Sequence, residues 1–110
     1  MTLDGLQRDL RTLLTGLEHP RMGAALALAE ECGEVVRCVL DAECYGKEVR
    51  ADLAGELGDA LAARAEVAER DGLSLEAAAT RTLEKIRLKA PGWRAEMGER
   101  LVGLRRRIDG

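Results

Sequence analysis

The chain has 110 residues, 46% of them apolar and 34% charged, which is enough for one domain over residues 1–110 and too little for a second independent core. One Trp, one Tyr and no Phe beside abundant Ala, Leu, Glu and Arg exclude a sheet-built fold and favour an all-α one. A net charge of −3 excludes the basic field that carries non-specific nucleic-acid binding.

In chain order, Leu3, Leu6, Leu10, Leu13, Leu14 and Leu17 recur at helical spacing, and Gly16 and Pro20 predict an end to this first helix near residue 17. A second helix is expected from residue 20 or 21 to about Cys44, followed by a turn over Tyr45 to Lys47. The third runs from about Glu48 to Arg70 and is closed by Asp71-Gly72. Ser74, an N-cap residue with Glu76 behind it, opens a fourth helix that Pro91-Gly92 predicts to stop near Lys89. Its apolar stripe of Leu75, Ala79, Thr82 and Ile86 is expected to be buried. A short fifth helix is expected over Arg94 to Arg107, completing a four-helix-type bundle with a short C-terminal helix. A core of Leu, Ala and Val buries little area per side chain, so self-association as a homodimer or homotetramer is expected.

Charge is unevenly distributed. Residues 28–59 hold nine acids against three bases, and residues 81–107 hold nine bases against three acids. Cys32, Cys38 and Cys44 match neither a metal knuckle nor a secreted disulfide framework, so reduced thiols are expected. No apolar run is long enough for a signal peptide or membrane helix, and a cytoplasmic location is expected.

Around the second helix, at about 100° per residue, Glu31 falls inside the stripe of Ala24, Leu28, Val35 and Val39. Glu34 lies at the edge of that stripe and Glu30 a little further out. The third helix repeats the arrangement, with Glu56 and Asp59 beside Leu53, Leu57 and Ala60. A carboxylate facing a core is costly unless it is paired, protonated or bound to a cation. Four of them on two helices predict metal binding. His19 lies before the second helix and is expected to be an exposed helix-end residue, so the ligands are oxygens alone, pointing to Mg²⁺ with Mn²⁺ as a substitute.

Glu30-Glu31-Cys32-Gly33-Glu34 followed by Glu56-Leu57-Gly58-Asp59 resembles the E-E-x-x-E and E-x-x-D signature of the MazG-like all-α nucleoside triphosphate pyrophosphohydrolases, over roughly residues 24–93. The resemblance implies metal ligation by Glu31, Glu34, Glu56 and Asp59, with Glu30 orienting a ligand or a bound water, so that Glu30 and Glu31 form the catalytic pair. It implies hydrolysis of a nucleoside triphosphate at the α-phosphorus to the monophosphate and pyrophosphate. Lys85 and Lys89, ahead of Pro91, resemble the family's phosphate-binding cations. The family's usual arginine is Lys89 here, which keeps the charge and loses bidentate geometry. Arg81, one turn earlier on the same face, joins them as a phosphate ligand. Trp93 is the one candidate for stacking a base, and packing of the last helix is its structural alternative. Arg105, Arg106 and Arg107 read as an exposed tail. Gly33, Gly55 and Gly58 are costly inside helices, and close helix packing or close substrate approach would explain them. Phosphoribosyl-ATP pyrophosphohydrolase and a dUTP-preferring relative are alternatives within this chemistry; a non-catalytic helical interaction or regulatory module is the alternative outside it.

Overall fold

Thr2 begins the fold by accepting the Gly5 amide on its Oγ1 at 2.9 Å, which caps helix α1, Leu3–Leu13. Three further helices follow in the computed structural model, which describes residues 1–109: α2 (Arg21–Tyr45), α3 (Arg50–Arg70) and α4 (Leu75–Asp109). No strand occurs among the described residues, so the fold is all-α. The chain divides into two compact units, Met1–Glu76 and the part that starts at Ala77.

Glycines close two of these helices. Gly46 adopts φ 62°, in the left-handed region, where its amide bonds to Ala42 O at 3.0 Å and that of Lys47 bonds to Asp41 O at 3.3 Å. Gly72, at φ 66°, does the same after α3, and the Leu73 amide reaches back to Ala68 O at 2.9 Å.

Two boundaries differ from expectation. Helix α1 stops at Leu13 rather than near residue 17: Leu13 and Leu17 are exposed, so no packing holds the extra turn, and Gly16 turns the chain at φ 82°. The break foreseen at Pro91 is absent, and one continuous α4 replaces the fourth helix and the short fifth. A proline inside a helix removes the single N–H bond to the carbonyl four residues back. Here that loss falls between two strong helix-forming runs, Arg87 to Ala90 and Trp93 to Glu96, and the ladder resumes on both sides.

The core is built from alanines. Ala24 of α2 and Ala60, Ala63, Ala65 and Ala68 of α3 are buried, and α3 is the element against which both α1 and α2 pack. Alanine lets helices approach closely but buries little area. No residue of α4 is buried, which corrects the expected stripe of Leu75, Ala79, Thr82 and Ile86; Leu75 is half-buried and the other three are exposed. Val39 and Leu57, placed by periodicity in buried stripes, are exposed as well.

Polar contacts supply what the small core does not. Gln7 is 4% exposed and satisfies three groups at once: its Nε2 donates to Glu69 Oε1 and Leu73 O, both at 2.9 Å, and its Oε1 accepts the Leu75 amide at 2.6 Å, capping α4 from α1. Arg11 grips Glu69 with both Nε (2.7 Å) and Nη2 (2.8 Å), and Arg21 pairs with Asp71 at 2.7 Å. The Arg11 hydrogen bonds hold the Glu69 carboxyl below its ordinary value. Replacing Gln7 by Ala removes the partner of the part-buried Leu75 amide and Leu73 carbonyl and is expected to cost about 1–2 kcal/mol. Urea unfolding should show the loss as a lower midpoint with an unchanged slope.

Candidate functional site

Helices α2 and α3 pack side by side and bring three carboxylates together. Oxygens of Glu31, Glu56 and Asp59 lie within 4.8 Å of one another; Glu31 and Glu56 are half-buried and Asp59 is exposed. The i, i+3 spacing of Glu56 and Asp59 puts both on one face of α3, while Glu31 comes from the face of α2 that also holds Ala24, Leu28 and Val35. The set has the composition a hard divalent cation takes, carboxylate oxygen with no nitrogen or sulfur donor.

Electrostatics show the same demand. Loss of water raises the Glu31 carboxyl above its ordinary 4.5, and the charges of Asp59, Glu30 and Glu34 push it further. Loss of water likewise raises Glu56, followed by the charges of Glu34, Asp59, Glu31 and Asp52. No basic group is among the causes for either carboxyl. The site is therefore poised to take up positive charge, as a proton or a cation.

Glu34 belongs to this field as the strongest charged neighbour of Glu56, but its carboxylate lies outside the converging set and is exposed. Glu30 is exposed and adds to the charge on Glu31. Arg81, Lys85 and Lys89 are exposed residues of α4 in the second unit, as are Trp93 and the Arg105 to Arg107 run. His19 is more than an exposed helix end: its Nδ1 lies 2.6 Å from Glu66 Oε1, which ties the α1–α2 connection to α3. A Cβ added to Gly33, Gly55 or Gly58 would meet nothing within 4 Å, so close helix packing inside the chain does not account for these glycines.

Two members of the acidic surface escaped the sequence reading. Asp52 contributes to the charge on Glu56 and, with Asp41, to that on Cys38. Its signal was present, because Asp52 precedes Glu56 by four residues and so shares its face. Cys38 faces this field: loss of water, then Glu56 and Asp52, raises its thiol above the ordinary value, so it stays protonated and unreactive. The three cysteines are free thiols, and no helix of the described residues is long and apolar enough to cross a membrane.

A raised folded-state pKa means that the fold favours the protonated carboxyl. The stability tied to Glu31 and Glu56 is therefore complete below the unfolded value of 4.5 and is lost as pH rises through the raised folded values. Without metal, Glu31→Gln should melt higher than the wild type at about pH 7, and the difference should vanish near pH 4. Thermal melts in EDTA across this range check the sign.

The sequence matches the MazG nucleotide pyrophosphohydrolase domain over residues 22–93, a stretch that includes the three converging carboxylates. None of the curated proteins or solved structures compared with it matches. With the domain covering well over half its length and the carboxylates of both motif halves in contact distance, the chain belongs to the MazG nucleotide pyrophosphohydrolase family.

Proposed function

We propose that the protein is a Mg²⁺-dependent nucleoside triphosphate pyrophosphohydrolase that converts a ribo- or deoxyribonucleoside triphosphate to the monophosphate and pyrophosphate. The observation that carries this reading is the convergence of Glu31, Glu56 and Asp59 within 4.8 Å inside the matched domain, without a basic partner. In this reading Glu31, Glu34, Glu56 and Asp59 hold divalent ions, with Mn²⁺ able to substitute for Mg²⁺. Such ions, when bound, neutralise the polyphosphate and make a coordinated water more acidic.

The chain's own groups do the rest. Glu31 contributes an oxygen from a half-buried position that excludes part of the solvent, which strengthens each charge interaction there. In this reading Glu30, one residue earlier and exposed, orients water for in-line attack on the α-phosphorus. Arg81, Lys85 and Lys89, which succeed one another every four residues along α4, are in this reading the chain's phosphate-binding cations. Trp93 supplies a ring for loose base stacking. In this proposal the whole chain works as one functional domain in the cytoplasm, as a homodimer or homotetramer. Among the described residues the buried apolar side chains are all alanines, which supports self-association.

The test is pyrophosphate release across the common nucleoside triphosphates, with dUTP and phosphoribosyl-ATP included. Mg²⁺ should be required, EDTA should abolish release, and Glu31→Gln or Asp59→Asn should lower the rate by about 100-fold or more. Wild-type release no greater than that of Glu31→Gln on every substrate would overturn the proposal. Saturating Mg²⁺ should also raise the wild-type melting midpoint and leave that of Glu31→Gln nearly unchanged.

A further inference from the structure

The matched domain ends at residue 93, and α4 runs on beyond it to Asp109. None of the residues assigned to the candidate site lies in this extension, and none of its residues is buried. Met97, Leu101, Leu104 and Ile108 recur there at spacings of 4, 3 and 4 residues, which puts the four on one stripe about 60° wide. All four are exposed, from 37% at Met97 to 65% at Ile108. Val102 is the one large apolar side chain of the extension off this stripe.

The charges are sorted around the stripe. At about 100° per residue, Arg94 and Arg105 lie within about 40° of one edge, and Arg100 and Arg107 within about 60° of the other. The acids Glu96, Glu99 and Asp109 all lie about 80° or more from either edge. Every cation of the extension is an arginine. Such a side chain lays its apolar stem along an apolar surface while its guanidinium donates two parallel N–H bonds to a phosphate.

From this face we propose that residues 94–108 dock in the plane of an anionic phospholipid surface, with the four apolar side chains at the acyl boundary and the two arginine rows on headgroup phosphates. Charge complementarity selects this occupant. A bilayer presents an apolar layer beneath a sheet of negative charge, so both rows find partners while the stripe between them is covered. A second copy of the same face would set arginines against arginines along both edges. Nucleic acid would satisfy the arginines and leave the stripe in water. The helix lies on the surface rather than across it, since no helix of the described residues is long and apolar enough to span a membrane. Arg106, about 170° from the middle of the stripe, stays in solvent.

The test is flotation of the full chain with liposomes, in EDTA so that no metal bridges the acidic site to the headgroups. Vesicles of phosphatidylcholine with about one-third phosphatidylglycerol should retain about 10-fold more protein than phosphatidylcholine alone in about 0.1 M salt, and about 0.5 M salt should release most of it. Arg105→Gln should lower the bound fraction about 5-fold, the worth of one arginine near an anionic surface. Its neighbour Arg106→Gln removes the same charge from the far side and should bind as wild type does. Leu101→Gln should weaken binding as well. All three positions are exposed, so unchanged helical circular dichroism is expected of each variant. The readout is lipid binding without nucleotide, so it stands apart from the pyrophosphohydrolase reading. No preference for anionic vesicles, equal losses in Arg105→Gln and Arg106→Gln, or undiminished binding by Leu101→Gln would each overturn the proposal. Tighter retention on immobilised poly-glutamate than on anionic vesicles would also overturn it, by assigning the face to an acidic polypeptide.

Discussion

Mutual repulsion among carboxylates at the α2–α3 seam is the constraint around which the first unit is arranged. Glu31, Glu56 and Asp59 stand within 4.8 Å of one another, and the loss of water raises both half-buried members. Left to itself this pressure would part the helices. What opposes it is a layer of alanines on α3 and a set of polar ties along its last turns, where Gln7, Arg11 and His19 all reach Glu66 or Glu69. The end of α3 is thus the stable anchor, and the strained middle is held against it. Such local cost, offset elsewhere in the fold, is the usual mark of a working site.

The arrangement also explains why so much apolar surface stays uncovered. A core of alanine cannot bury a long leucine, and enlarging it would separate the carboxylates. The leucines and valines are therefore displaced to outer faces, on α2 at Leu26, Val36 and Leu40 and on α4 at Leu83, Leu101 and Leu104. Exposed area on this scale is what the proposed self-association and lipid contact would cover.

Much of this was legible in the residues. Helical periodicity placed Glu31 among Ala24, Leu28 and Val35, and Glu31 is half-buried as that position implies. Gly46 and Asp71-Gly72 marked breaks because a left-handed backbone is a local property that glycine signals directly. What escaped was non-local. Pro91 is a breaker by local rules, yet the runs of helix formers on both sides carry α4 through it. Periodicity identified Val39 and Leu57 as apolar but could not say how far they are covered, and each is about half exposed among the described residues. Asp52 was passed over because it lies outside the motif, although its four-residue offset from Glu56 puts it in the same field.

The alanine layer bears on which ion the carboxylates would hold in the proposed function. Ala60 adjoins Asp59 in sequence and is buried, so the packing of α3 next to that carboxylate is set by a methyl group. Oxygen distances around Mg²⁺ and Ca²⁺ differ by only about 0.3–0.5 Å, less than the shift produced by one added methylene at such a contact. In the proposed function, discrimination between cations of equal charge would then fall to alanines that touch no ion, which space the carboxylates as a gauge spaces jaws.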